Sequence, residues 1–297
     1  MPPLTVFTPT YNRAYTLPQC YESMRRQTCK DFVWLVVDDG STDNTRELVE
    51  SWMREDNGFE LRYVWQENQG MHGAHNLAYA TIDTEINTCI DSDDFMPDDA
   101  VEKILRFWET CRDDASVSGI LALDVDKQGN VIGDPFPDGL DRVTGYEVYY
   151  KYGLKGDKKY ILRSELTRLY PYPVFPGEKY VGLACKYLLL DKDYKLRLLN
   201  EPVCIVEYLP DGSSNNMIRQ YFRNPRGFAY YRVLCMQLPY ASFRFRLRSA
   251  VHYVSECLIA RNRRWLHESP CKGITLLAAP AGFLLWCYLR RVYRGKA

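Results

Sequence analysis

The chain has no net charge, no CxxC pair, no internal repeat and no low-complexity tract. Each absence removes a class of protein. The ten cysteines are scattered through apolar periodic stretches, as at Cys89, Cys204, Cys235 and Cys257. Zinc and a disulfide framework are therefore unsupported, and reduced, buried thiols in a cytosolic compartment are expected. The N-terminus lacks the basic and apolar regions of a secretory signal, since Met1-Pro2-Pro3 leads directly into a strand-like run. With 46% hydrophobic and 26% charged residues the chain is not a disordered one. Its 297 residues suffice for one large α/β domain with an appendage, or for two small domains.

Acidic residues are nearly missing from one end. From Arg219 to Ala297 there are 15 Lys or Arg against two acids, Glu256 and Glu268. Residues 1–218 carry the compensating excess, 36 acids against 23 bases. The split suggests an acidic body and a basic tail that faces an anionic surface; the alternative is a tail docked on the body itself.

What is present is a regular alternation over the first 125 residues. Leu4–Thr8, Phe32–Asp38, Leu61–Gln66, Ile86–Ile90 and Val117–Leu123 read as strands. Leu17–Gln27, Thr42–Arg54 (with Asp43 placed to cap or charge its first turn), His72–Ala80 and Asp98–Arg112 read as the helices between them. Phe32–Asp38 (FVWLVVD) has the continuous apolar pattern of a strand buried on both faces of a parallel sheet. The alternation predicts a doubly wound, mostly parallel α/β sheet. From about Asp124 to Pro176 the pattern turns irregular and rich in Gly, Pro and Tyr, as in lids and binding loops. Two strand-like runs follow, Tyr194–Leu199 and Val203–Tyr208, then a polar loop, Leu209–Asn216, and helical sequence from Met217.

Open parallel sheets bind ligands at the carboxyl ends of their strands. Four strand ends here carry polar, turn-forming segments: Thr8–Arg13, Asp38–Asp43, Glu67–Gly70 and Asp91–Asp94. Asp91 and Asp93, two apart in an extended segment, can point to the same side. Carboxylates gathered there repel one another unless a cation is bound, and an oxygen-rich site suits Mg²⁺ or Mn²⁺ completed by phosphates and water. Asp94 suits either a supporting role behind that site or the cap of the next helix, with the cap preferred.

The runs TPTYNR, VVDDGSTDNT, ENQG with Gly73, His75, Asn76 and Ala78, and DSDD, in this order at strand ends, resemble family 2 glycosyltransferases of the GT-A fold. The resemblance covers roughly residues 3–125. It implies that Pro9, Tyr11 and Arg13 border a nucleoside and that Asp39, with Asp38 beside it, contacts the base or ribose. It also implies that Asn68, Gly70 and Asn76 line the ribose and donor-sugar region. Asp91, with Ser92 beside it, would meet the donor, and Asp93 would hold the metal on the diphosphate. Taken singly, DDGSTDNT also suits a turn with a capping box, and Tyr11 a wall aromatic.

The second half resembles, more loosely, a bacterial subgroup that decorates surface polysaccharides, through PGEKYV at 176–181 and the stretch from Asn200 to Asn216. In that subgroup an acidic residue follows the Glu-Lys-aromatic stretch, whereas here the position holds Leu183. Glu178 is then the nearest carboxylate and the candidate general base; the alternative is a structural ion pair with Lys179 or an Arg. Ser213, Ser214 and Arg219 are candidates for a lid over the diphosphate, the serines equally for a surface turn.

Gly273–Leu289 is uncharged, contains Pro280, and is followed by Arg290, Arg291, Arg294 and Lys296. Seventeen such residues lie at the short limit for a membrane span, so an in-plane or half-inserted helix is expected, with a buried core helix as the alternative. Trp286, Tyr288 and Tyr293 beside arginines suit a membrane interface, and no nucleic-acid-binding signature accompanies them.

The expectation is thus a GT-A-like domain over 1–215 (donor half 1–125, acceptor half 126–215) and a helical, basic, membrane-associating region over 216–297. The expected reaction is inverting transfer of a sugar from a nucleotide sugar, in particular a UDP-sugar, to a glycan or lipid-linked acceptor. The expected place is the cytoplasmic side of a bacterial membrane, peripheral on an anionic surface, without nucleic acid. Two rivals stand beside it: a sugar nucleotidyltransferase, disfavoured because Thr8–Tyr15 has no glycine, and a catalytically silent nucleotide-sugar-binding scaffold, kept in view by Leu183.

Overall fold

The computed structural model describes residues 2–208 and 217–295. The chain forms two compact units. One comprises Met1–Pro171 with Asp193–Leu209, the other Tyr172–Lys192 with Pro210–Ala297.

The first unit is built on an eight-stranded sheet. Its strands are Leu4–Thr10 (β1), Phe32–Asp38 (β2), Glu60–Trp65 (β3), Ile86–Cys89 (β4), Val117–Val125 (β5), Arg142–Val143 (β6), Lys158–Arg163 (β7) and Lys195–Ile205 (β8). They lie in the order β3-β2-β1-β4-β7-β5-β8-β6. Pairing is parallel among β1 to β4 and between β5 and β8; β7 runs antiparallel to β4 and β5, and β6 antiparallel to β8. Every residue of β1, β2 and β5 is buried, as in strands covered on both faces. Helices Leu17–Arg25 (α1), Thr45–Trp52 (α2) and Ala100–Trp108 (α4) bury their apolar stripes on one face, around Trp34, Ile86 and Ile120. Tyr21 stacks on Trp52 at 4.2 Å between ring centroids and on Trp34 at 5.8 Å. Burial of each such side chain contributes roughly 1.5–3 kcal/mol, and Trp34→Ala would cost about 3–5 kcal/mol. Helix Met71–Thr81 (α3) covers the other face, where Phe7 meets His75 and Tyr79 edge-on, and Ser164–Leu169 (α5) packs beside it.

Three features depart from the expected pattern. β7 is a central strand inside the stretch expected to be irregular. It closes the gap between β4 and β5, although it starts with two lysines. The two expected strands near the end of this unit form one, β8. Its register against β5 jumps from Ala122 opposite Leu199 to Leu123 opposite Pro202, so Asn200 and Glu201 are absorbed as a bulge, where a proline costs no ladder bond. Lastly, Tyr172–Lys192, expected in the acceptor half of the sheet domain, belongs with the helices. Helix Ala184–Leu190 (α6) packs on Pro225–Gln237 (α8), and Gly227 lies where an added Cβ would sit 2.1 Å from the Tyr180 carbonyl oxygen.

The second unit also contains Met217–Arg223 (α7), Phe243–Ile259 (α9), Trp265–Glu268 (α10) and Lys272–Gly295 (α11). Its core joins Met236 of α8, Ala250, Tyr253 and Cys257 of α9 and Ala278 of α11. Gly282 lets α11 approach α9 closely, since a Cβ there would meet the Val254 side chain at 2.6 Å. Ser242 caps α9 by accepting from Phe245 N.

Candidate active site

The topology brings seven strands' chemistry to one edge. β1 to β4 are parallel, and β5 and β8 point the same way, because β7 runs antiparallel to both β4 and β5. The carboxyl ends of those six strands and the amino end of β7 therefore share an edge, the ligand-binding edge of open α/β sheets.

At its β1–β3 half the loops are tied together by side chains. Pro9 is buried in β1 opposite Val37. Tyr11 is 49% exposed, and the Arg13 guanidinium lies 5.6 Å from the Tyr15 ring centroid. Asn12, at φ 53, accepts from Thr42 N at 2.7 Å and donates its own N–H to Ser41 Oγ at 2.9 Å. Asp43 accepts from Ala14 N and Thr45 N at 3.1 Å each, so it holds α2's entry to the β1 loop. Asp38 is buried and accepts from Ser41 N at 2.8 Å and Tyr63 OH at 2.7 Å. Asp39 is buried as well; Oδ1 accepts from Gln66 Nε2 at 2.6 Å and Gln69 N at 2.9 Å, and Oδ2 from Gly70 N at 2.8 Å. Gly40 needs to be glycine: its φ is +82, and a Cβ would lie 2.8 Å from Asn68 N. Asn68 and Gly70 are half-buried in the β3–α3 connection, with Asn76 one turn into α3.

At the β4 end, Asp91 and Asp93 are half-buried, and Ser92 and Asp94 are buried. The Cys89 thiol lies 3.6 Å from Asp91 Oδ1 and 3.7 Å from His75 Nε2, and His75 Nδ1 is 3.1 Å from Tyr79 OH. Asp94 does not cap the next helix. That helix starts at Ala100, and Asp94 instead accepts from Glu207 N at 3.0 Å, joining the β4 and β8 ends. Burial, with Asp91 and Asp93 adding to it, pushes the Asp94 carboxyl up to about 7 against the pull of Lys159.

Two residues at this edge do not stand out in the sequence. Burial alone would lower the Lys159 ammonium on β7, yet Cys204, Asp124, Asp94 and Asp91 hold it well above the ordinary lysine value. Asp124, near the end of β5, is 2% exposed, and burial raises its carboxyl. The available signal was an Asp closing an apolar strand, as in β2 and β4.

Glu178 belongs to the helical unit, and the structure gives its carboxylate the alternative occupation, an ion pair with an arginine. Oε1 accepts from Arg226 N at 3.1 Å and Arg226 Nε at 2.8 Å, and Oε2 from Gly227 N at 3.0 Å. It thus satisfies the open N–H groups at the start of α8. Leu183 stands at the N-terminus of α6. Arg219 is exposed on α7, and Ser213 and Ser214 lie outside the described residues.

A parallel-dominated sheet with helices on both faces and carboxylates at one edge defines a GT-A-like fold. The model of the glycosyl transferase family 2 matches residues 5–159, and the chain belongs to that family. Glycosyltransferase GlyA of Streptococcus pneumoniae serotype 4 is 28% identical over 177 residues, 58% of this chain but 25% of GlyA, so the chain spans a quarter of that relative's length. S. aureus TarS 1–349, solved in complex with UDP-GlcNAc, shares the fold at a TM-score of 0.59 and 17% identity, covering 93% of this chain and 79% of that one. The mannosyltransferase PcManGT of Pyrobaculum calidifontis, solved with GDP-Man and Mn²⁺, does so at 0.54 and 18% identity, covering 97% and 87%.

Proposed function

We propose that this chain is an inverting, metal-dependent glycosyltransferase acting on a UDP-sugar. Its acceptor is a hydroxyl of a glycan or lipid-linked intermediate of bacterial surface polysaccharide. The observation that carries this is the convergence of Asp38, Asp39, Asp91 and Asp93 on one sheet edge in a family 2 chain. Pro9, Tyr11 and Arg13 border the nucleoside in this reading, Asp39 and Asp38 address base and ribose, and Asn68, Gly70 and Asn76 line the sugar side. Asp91 and Ser92 meet the donor.

Among the described residues no group of three or more His, Cys, Asp or Glu is placed to cage a metal. One or two half-buried carboxylates fit instead the mode in which Mg²⁺ or Mn²⁺ keeps waters and is completed by substrate phosphates. Asp93 would hold it, with Asp91 adjacent, and the ion when bound stabilises the charge developing on the departing diphosphate. The chain's own residues orient the donor: the Asp39 cross-link holds the β2 and β3 loops in register, and Asp94 anchors DSDD to β8. Glu178, with its oxygens given to α8 and Arg226, is a positioning group of the helical unit in this reading.

The proposed place of action is supported by α11. Thr275, Ala278, Gly282 and Leu289 are its buried positions, whereas Leu276, Leu277, Phe283, Leu284 and Tyr288 are 51–68% exposed. By length and composition α11 suffices to cross a membrane. With one stripe committed to α9 and Arg290 and Arg291 exposed at its end, it suits an anionic interface, lying in the plane.

A second reading, a nucleotide-sugar binder without turnover, is favoured by Leu183 and by the occupied Glu178. Calorimetry against UDP-GlcNAc, other UDP-sugars and GDP-mannose with Mn²⁺ tests the class. A preferred nucleotide sugar that is slowly hydrolysed supports the transferase, binding without hydrolysis supports the binder, and no binding removes both.

A further inference from the structure

We propose that Asp124 reads a hydroxyl of the transferred sugar. The inference rests on the donor-binding role of the same edge. In that reading the nucleoside lies over β1 to β3 and the diphosphate at Asp91 and Asp93, and a sugar that continues in the same direction along the edge lies over β7 and β5. Asp124 stands two strands beyond β4, about 10 Å at ordinary strand spacing. It is close enough that the Asp91 charge adds to the rise of its carboxyl.

Asp124 carries a buried acceptor that no described residue satisfies. It is 2% exposed, and its Oδ1 has no hydrogen-bond partner among the described residues. Buried carboxylate oxygens are nearly always satisfied, because water can no longer do it. Lys159 pairs with Ala122, two residues before Asp124 on the adjoining strand, and its positive charge pulls the Asp124 carboxyl down against burial. The arrangement keeps Asp124 available as an acceptor while Lys159 limits the cost of burying it. Tyr149 and Asp157 are neighbours of Asp124, and Tyr208 OH lies 3.4 Å from Asp157 Oδ2. These groups are hydroxyl-seeking and aromatic, as a pyranose requires. A site built to accept from a hydroxyl rejects the epimer that misplaces it far more strongly than an apolar wall does.

The test uses the full chain with Mn²⁺, and the probes are UDP, UDP-glucose, UDP-galactose, UDP-GlcNAc and UDP-GalNAc, measured by calorimetry. The parent should separate the best from the worst of the four sugars by tenfold or more. Asp124→Asn should flatten that ratio to within about threefold, leave UDP affinity within about twofold, and not lower Tm, because it removes a buried charge. A variant that keeps the parent's ratios overturns the inference and leaves the donor site standing. A lowered Tm with unchanged ratios does the same, by making Asp124 a structural carboxylate. A parent that binds none of the five probes overturns the donor site and this inference together. If Asp124→Asn does not fold, Asp124→Ser is measured in its place, and failure of both to fold also overturns the assignment.

Discussion

At the sheet's carboxyl edge Asp38, Asp39 and Asp94 are at most 5% exposed, and each accepts hydrogen bonds from two or more loops or from a neighbouring strand end. On α11, by contrast, Leu276, Leu277 and Leu284 stand 60–68% exposed. One unit buries polar groups that a soluble domain would leave in water, and the other exposes apolar groups that it would bury. The chain's own hydrogen bonds offset the first inversion, whereas the second costs stability unless a partner covers the exposed face. The partners we propose differ: a nucleotide sugar with its metal at the first, an anionic lipid surface at the second.

The comparison breaks if the apolar face of α11 has no such partner. Replacing Leu276, Leu277 and Leu284 together by Gln removes roughly 1.5–3 kcal/mol of burial apiece, enough to reduce flotation with anionic vesicles at least about a hundredfold. The packed positions Thr275, Ala278, Gly282 and Leu289 are untouched, so thermal unfolding should stay unchanged. Flotation equal to the parent's would show that this face is not a membrane contact.

Independence of the two inversions is sharpened by Gly227→Ala. The new Cβ would meet the Tyr180 carbonyl, and overpacking of this kind costs roughly 1–3 kcal/mol. The melt of the helical unit should fall while UDP affinity persists. A parent-like melt would contradict the packing of α6 and α8 described above.

Glu178→Gln asks whether that carboxylate is a cap or a base. As a cap its loss should cost about 1–2 kcal/mol, with turnover within a few-fold of the parent. A fall in turnover of about 10²–10⁴ at an unchanged melt would restore the base.

The smallest effect lies within α9. Burial, then Arg232 and Arg248, lower His252 to about 4, whereas burial raises Glu256 to about 7 against the pull of Arg232. His252 is neutral in the fold, so it makes stability rise with pH from about 4 to 6.5. Glu256 binds its proton more tightly folded than unfolded, so its contribution is present below 4.5 and is lost as pH rises through about 7. The two slopes oppose each other up to pH 6.5. Above it only the Glu256 loss remains, under about 1 kcal/mol by pH 7.5. Glu256→Gln should abolish that decline; a decline that persists would assign it to another group.

Legibility from sequence followed the range of the interactions. β1, β2 and β5 were readable because a strand buried on both faces carries apolar residues on both, with only a few small or terminal polar ones. Asp38, Asp39, Asp91 and Asp93 stood out as acids closing such strands. β7 was not readable, because Lys158 and Lys159 look like surface and their partners, Asp124, Asp94 and Ile132 among them, lie on other elements. Glu178 shows the same limit: the arginine that claims it is 48 residues downstream.

In the proposed function Asp93 lies at a metal-assisted donor site within the sheet unit. Titration of UDP into the parent and into Asp93→Ala, each with and without Mn²⁺, measures it directly. The account predicts that Mn²⁺ strengthens binding by tenfold or more in the parent and by nothing in the variant, at equal melting temperatures. Equal UDP affinity with and without Mn²⁺ in both proteins would contradict it.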